Sequence, residues 1–215
     1  MIRHLAVALG AACVAVLFSF VTRPARADYP KPSIYPISWE LKFDHGSPKR
    51  VVVDVPGTGS TPYWYMTYSV TNNTDKEQQF LPIFEMLTTD GQVIRSDKSI
   101  PDKVFDTIKN LERNRFLLPS HQVGGELRIG DDQTKESVAI WPEPMPRMGT
   151  FSIFVGGLSG ESVNLKDDKG DPMKDKDGMQ IILRKTKQLE YQVRGDEHYS
   201  GPDSVGLKSE GWVMR

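Results

Sequence analysis

The stretch Tyr63–Thr74, reading YWYMTYSVTNNT, places the strongest constraint on what this chain can fold into. It is dense in aromatic and β-branched residues, which suit a pleated, half-buried surface. Its side chains divide by the period of two that a strand imposes. Trp64, Met66, Tyr68 and Val70 share one face; Tyr63, Tyr65, Thr67, Ser69 and Thr71 share the other. The first set is the more apolar and is predicted to face the core. Asn72-Asn73-Thr74-Asp75 supplies the turn chemistry that closes the segment. Tyr63–Thr74 therefore reads as a central β-strand ending in a turn.

The rest of the chain carries further short segments of the same kind. Ser38–Phe43 alternates Trp39, Leu41 and Phe43 with polar residues, and Arg50–Val55 is a β-branched run. Asp44–Pro48 and Pro56–Pro62 read as loops from their composition. Gln79–Thr88 is a strand interrupted by Pro82, which predicts an edge position or a bulge. Asp90-Gly91 then signals a hairpin into Gln92–Arg95. Glu126–Ile129 and Ser137–Trp141 flank the polar turn Gly130–Lys135. Thr150–Val155, Met179–Lys185 and Gln188–Arg194 complete the strands, with Lys166–Gly178 a charged loop. No internal repeat is read.

One helix is predicted. Val104, Phe105, Ile108 and Leu111 recur on one helical face after Pro101, which suits a first turn, and Asp102, which suits the helix dipole. It is expected to cover an open end or edge of the sheets. Many short strands, one helix and no βαβ alternation predict an all-β fold: an antiparallel β-sandwich of immunoglobulin/fibronectin-like architecture. The domain is expected over 38–196. Residues 28–37, with Pro30, Pro32 and Pro36, read as an extended tether, and 197–215 as a loosely held tail.

Residues 1–27 read as a cleaved signal peptide. Arg3 and His4 precede the apolar run Leu5–Val21, and Ala25-Arg26-Ala27 is a small-x-small cleavage site before Asp28. The alternative is an uncleaved anchor, but the run is short of the about 20 residues that span a bilayer. A lipoprotein signal at Cys13 fails, because Gly10-Ala11-Ala12 lacks the leading Leu or Val. Cleavage removes Cys13, the only cysteine, so the mature chain holds no disulfide. Loss of Arg3, Arg23 and Arg26 takes the basic residues from 27 to 24 against 28 acids, a formal charge of -4. No block of like charge suits nucleic acid, and no second apolar run suits membrane insertion. The predicted location is periplasmic or extracellular.

Trp39-Glu40-Leu41, Pro48-Lys49-Arg50, Tyr63–Thr74, Gly157-Leu158-Ser159-Gly160-Glu161 and Leu183-Arg184-Lys185-Thr186 together resemble a group of uncharacterised exported bacterial proteins, most like those of planctomycetes. The resemblance spans most of 38–196. It implies a bacterial, exported protein and assigns no functional residue.

The motifs that could carry chemistry are incomplete. Gly157-Leu158-Ser159-Gly160-Glu161 approaches a nucleophile elbow, but its last position is Glu161 and no helix follows. A Gly-rich turn is the better reading. His45, His121 and His198 stand in predicted loops without metal-ligand spacing, and read as surface histidines. Asp167, Asp168, Asp171, Asp175 and Asp177 invite calcium, but Met173 and Arg184 occupy the positions where an EF-hand loop needs its first and last ligands. A solvated loop is preferred. Asp131-Asp132 reads as a turn. Asn72-Asn73-Thr74 matches a glycosylation sequon, idle in a bacterial protein. No catalytic residue, metal ligand or cofactor is predicted.

The expected function is that of a non-catalytic exported protein of the cell envelope, a structural or interaction module whose partner is an envelope protein or a glycan. The alternative is a glycan- or peptide-binding module that uses Tyr63 and Tyr65, with Trp141 nearby, as an exposed aromatic platform. A hydrolase with residues scattered over loops is the least favoured reading.

Overall fold

The computed structural model describes residues 29–96 and 98–215. The expected signal peptide, with Cys13, lies outside the described residues. The fold is mostly β, and its strand pairs within the sheets are antiparallel.

The first sheet is built on β3 (Gly59–Thr71). β2 (Lys49–Val55) pairs with the first half of β3, and β1 (Lys42–His45) pairs with the end of β3. On its other side β3 pairs with β8 (Lys135–Pro142) from Tyr63↔Pro142 to Val70↔Lys135. The second sheet runs β6 (Val93–Arg95), β5 (Ile83–Thr88), β9 (Thr150–Gly156), β11 (Ile182–Val193), with β12 (Val205–Met214) beyond β11. The short β10 (Ser162–Asn164) extends the pairing of β11. β4 (Gln78–Phe80) and β7 (Gly125–Leu127) form a separate two-stranded piece.

The two sheets share one apolar core. Trp64, Met66, Tyr68 and Val70 of β3 are all buried in it, with Phe84 and Met86 of β5, Phe151 and Ile153 of β9, and Leu189 and Tyr191 of β11. The rings interlock across the gap: Trp64 meets Phe151 edge-on at 5.6 Å, and Tyr68 lies 4.6 Å from Phe84. Such contacts add about 0.5–1.5 kcal/mol each beyond area burial. The facing predicted for the central strand is therefore correct.

The other face of β3 is also buried. Helix α1 (Asp102–Glu112) lies against it and seats Val104 and Ile108 on Tyr63, Tyr65, Val53, Val138 and Ile140. The helix was predicted in place, but it covers a sheet face rather than an end or edge. Pro101 is its N-cap, and Arg113 ends it in the left-handed region at φ 52°. A single helical turn, α2 (Ser120–Val123), follows.

Several boundaries differ from the sequence reading for physical reasons. The first strand starts later than Ser38, at Lys42, although Glu40 bridges Ser159. The loop Pro56–Pro62 shrinks, because β3 begins at Gly59 and carries Pro62 opposite Val52. Pro82 neither sits on an edge strand nor makes a bulge. It divides its run into β4 and β5, which pair with different strands. The segments 126–129 and 137–141 do not pair with each other, since β7 joins β4 and β8 joins β3. The last two predicted strands are one continuous β11.

The loosely held tail is overturned. β12 pairs with β11 from Val193↔Val205 to Lys185↔Met214, and buries Val205 and Met214. Gly206, Gly211 and a run of polar residues hid its apolar period, and a register shift after Glu190 breaks it further. The N-terminal segment forms no strand, yet it is fastened. Ser33 N–H donates to Glu161 Oε1 at 2.7 Å, and Lys185 Nζ donates to Ser33 O at 3.2 Å. No helix among the described residues is long and apolar enough to cross a membrane.

Candidate binding slot

The aromatic platform expected from Tyr63 and Tyr65 does not exist. The two side chains lie under α1, 6% and 4% exposed. Tyr65 Oη donates to Glu112 Oε1 at 2.7 Å, and Lys49 Nζ donates to the same oxygen at 2.8 Å. Burial, then the bond to Glu112, pushes the Tyr65 phenol well above its ordinary range. Burial works to raise Glu112, but the Lys49 and Tyr65 bonds outweigh it and hold that carboxylate below its ordinary value. Trp141 stands opposite Trp64, fully buried in the central core on the other face of the sheet.

Ser159 is part of a packed turn. Its Oγ accepts from Glu161 N–H at 3.1 Å. Gly157 has φ +87°, and a Cβ there would stand 2.5 Å from Leu81 O. Gly160 presses on Ser38 and Trp39 in the same way. The glycines of this motif therefore serve close backbone packing. Beyond them lies a buried ion cluster: Lys185 Nζ meets Glu40 Oε1 at 2.5 Å and Glu161 Oε2 at 3.1 Å. Among the described residues no histidine bonds to Ser159.

The histidines are dispersed. His45 Nδ1 stands 3.1 Å from both Gly46 O and Tyr191 Oη, beside Glu210 at 3.8 Å. Arg147 Nε donates to His198 Nε2 at 3.2 Å. Among the described residues no group of three or more His, Cys, Asp or Glu is arranged to hold a metal.

The aspartate loop has an order that the sequence reading missed. Asp167 Oδ1 accepts from the N–H groups of Lys169 and Asp171, each at 2.9 Å. Asp175 Oδ1 accepts from Asp177 and Met179, again at 2.9 Å. Lys166-Asp167…Gly170 recurs as Lys174-Asp175…Gly178, with φ +86° and +80° at the two glycines. Leu165, Met173 and Ile181 close the pair of turns: Met173 N–H donates to Leu165 O, Ile181 N–H to Met173 O, and Leu165 N–H to Ile181 O. These aspartates serve the turns themselves. Asn72 is likewise internal: its Nδ2 donates to Lys76 O and Leu127 O, and its Oδ1 accepts from Thr74, so the sequon is closed to modification in the fold.

One concave feature among the described residues is a slot beside β8. Two cavities share Ser96, Ser120, His121 and Val138 as their common rim. One, of about 200 Å³, lies on the helix side and is lined by Ile100, Phe105 and Ile140. The other, of about 450 Å³, lies toward the second sheet and is lined by Leu81, Pro82, Ile83 and Phe84. Leu81 stands 67% exposed at its edge.

The floor between them is main chain. β8 pairs with β3 on one side only. Glu136 O accepts from Leu118 N–H at 2.8 Å, away from β3, whereas Glu143 N–H donates to Pro62 O on the β3 side. Alternation along the strand then sends the N–H and C=O of Ala139 and Trp141 to β3, and those of Ile140 into the slot. Among the described residues no hydrogen bond is made by Ile140 N–H, Ile140 O or Val138 O. His121, expected on a surface loop, lies in α2 and is exposed at this rim. No signal in the sequence could have found the slot, because the direction of a main-chain group depends on which neighbour the strand chooses.

Comparison with known family models, with curated proteins and with solved structures finds no match to this chain.

Proposed function

We propose that the chain is an exported, non-catalytic interaction module of the bacterial cell envelope, with an immunoglobulin/fibronectin-like sandwich as its scaffold. The leader pattern of residues 1–27 and the resemblance to exported planctomycete proteins support the location. Two antiparallel sheets on one core support the architecture.

The observation that carries the functional reading is the contrast between spent and unspent polar groups. Ser159, His45, Asp167, Asp175, Glu112 and Lys185 are each engaged in holding the fold. The slot beside β8 instead keeps main-chain donors and acceptors that have no partner among the described residues, beside an apolar wall. That is the chemistry of recognition.

Expression of the full chain in a bacterium, followed by fractionation and N-terminal sequencing, tests the reading. The expected product begins at Asp28 and lies in the envelope fraction. An unprocessed chain starting at Met1 in the cytoplasm would refute export. Turnover of ester, peptide or glycoside substrates by the processed protein would refute the non-catalytic assignment.

A further inference from the structure

We propose that the slot beside β8 binds a short extended peptide of a partner protein as an added β-strand. The bound segment alternates apolar and polar side chains and carries a carboxylate near the Pro142 end. This rests on the interaction-module reading and names its partner.

The main chain supplies the first argument. Ile140 is buried, yet its N–H and C=O are directed away from β3 and have no protein partner among the described residues. Buried backbone groups are almost always paired, so an unpaired set on a strand edge is matched best by another strand. Strand addition uses such groups for affinity and side-chain pockets for specificity.

The cavities supply the second. A strand laid beside β8 would send successive side chains to opposite faces of the sheet. One face opens into the cavity at Ile100 and Phe105, and the other into the cavity at Leu81 and Ile83. The two cavities thus stand where consecutive residues of one added strand would point. The cavity at Leu81 and Ile83 has apolar walls and calls for apolar side chains, whereas the one at Ile100 and Phe105 also presents Ser96, Ser99, Asp102 and Ser120 and calls for polar ones, so the bound strand alternates.

Length and charge narrow the ligand further. Leu118 already bonds Glu136 at one end of the edge, and Lys98 and Ser99 line a cavity with Pro142 at the other. The open stretch Val138–Trp141 spans about 13 Å at a strand rise of about 3.3 Å per residue. A third cavity at the Pro142 end is lined by Glu85, Arg95 and Lys98. Glu85 is already paired with Arg215 at 2.9 Å, while Lys98 stands exposed. The exposed Lys98 ammonium fits a carboxylate of the partner.

The long edge of β12 offers no comparable site. Its pairing with β11 shifts register at Lys208, and an extra residue with a lysine on it blunts an edge against pairing.

The test is selection of random linear nine-residue peptides, displayed on phage, against the processed full chain. Enriched peptides should alternate apolar and polar residues and carry an Asp or Glu. Their synthetic forms should slow exchange of the Ile140 amide on binding. Ser120→Trp, at an exposed rim position, should weaken binding at least tenfold with an unchanged melting temperature. His121→Trp, at the same exposed rim, should do the same. Lys98→Glu should weaken acidic peptides and spare neutral ones. No enriched peptide, or peptides that bind both slot variants like the parent, would overturn the proposal. So would a chito-oligosaccharide that shifts the slot amides while no peptide is enriched. A chain processed at Asp28 and held in the envelope, yet indifferent to peptides, overturns the slot and not the module.

Discussion

Replacing Lys185 by Met tests the ion cluster that ties the N-terminal segment to the second sheet. Lys185 is 2% exposed, and its ammonium meets Glu40, Glu161 and the carbonyl of Ser33. Trp212 covers it at 5.2 Å. Burial works against its charge, but the bonds to Glu40 and Glu161 prevail and raise its pKa above the ordinary lysine value. Burial also works against the Glu161 charge, and the Ser33 N–H and Lys185 outweigh it. Removing the cation leaves Glu161 buried with a charge and no counter-ion. Such a break costs about 3–5 kcal/mol. For a domain of this size, that corresponds to a fall of about 6–20 °C in Tm. The assay is urea and thermal unfolding of Lys185→Met, with hydrogen exchange at the Ser33 amide. Ser33 should lose protection, because its acceptor Glu161 is no longer held. Adding Glu161→Leu to Lys185→Met should restore much of the loss by removing the stranded charge. The pH dependence has two sides. Glu161, lowered in the fold, contributes stability above its ordinary value of 4.5 and loses it as pH falls through the folded value. Lys185, raised in the fold, contributes fully below its ordinary value of 10.5 and loses that as pH rises through the folded value. A Lys185→Met protein within about 1 kcal/mol of the parent, with Ser33 still protected, would refute the reasoning.

Three further outcomes follow from the packing. Tyr65→Phe should destabilise by about 1.5–3 kcal/mol in urea unfolding, since it removes a buried bond to the Glu112 carboxylate. In an alkaline titration followed by absorbance, Tyr65 and Tyr191 should stay protonated until the protein unfolds, with Tyr68 pushed up to about 12 by its burial. Asn72→Asp should cost about 1–3 kcal/mol, because the Leu127 carbonyl loses a buried donor while that of Lys76 keeps Thr74 Oγ1; thermal unfolding checks it. Truncation before Pro202 should yield aggregated protein by size-exclusion chromatography, since it strips β12 and bares the edge of β11.

What was legible in the sequence was local. The two faces of β3, the Asp90-Gly91 turn and the helix from Asp102 follow from period and turn chemistry, and each stands where expected. What was not legible depends on which distant segments meet. Tyr63 and Tyr65 point away from the central core as predicted, but only the docking of α1 decides that they are buried. The strength of β12 lies in its pairing with β11 rather than in its own apolar content. Pro82 marked a break, and the fold uses that break to pass the chain from the β4–β7 pair into the second sheet. The paired turns at Asp167 and Asp175 were readable, because Lys-Asp and Gly return at a fixed spacing, although the density of carboxylates resembles a cation-binding loop.

The central claim is that β8 keeps a free hydrogen-bonding edge inside a slot. Amide hydrogen exchange measured residue by residue along β8 in the free protein tests it most directly. Ala139 and Trp141 donate toward β3 and should exchange slowly, while Ile140, buried in the same strand, should exchange much faster than either neighbour. Equal protection of all three amides would contradict the account, because Ile140 would then already have a partner.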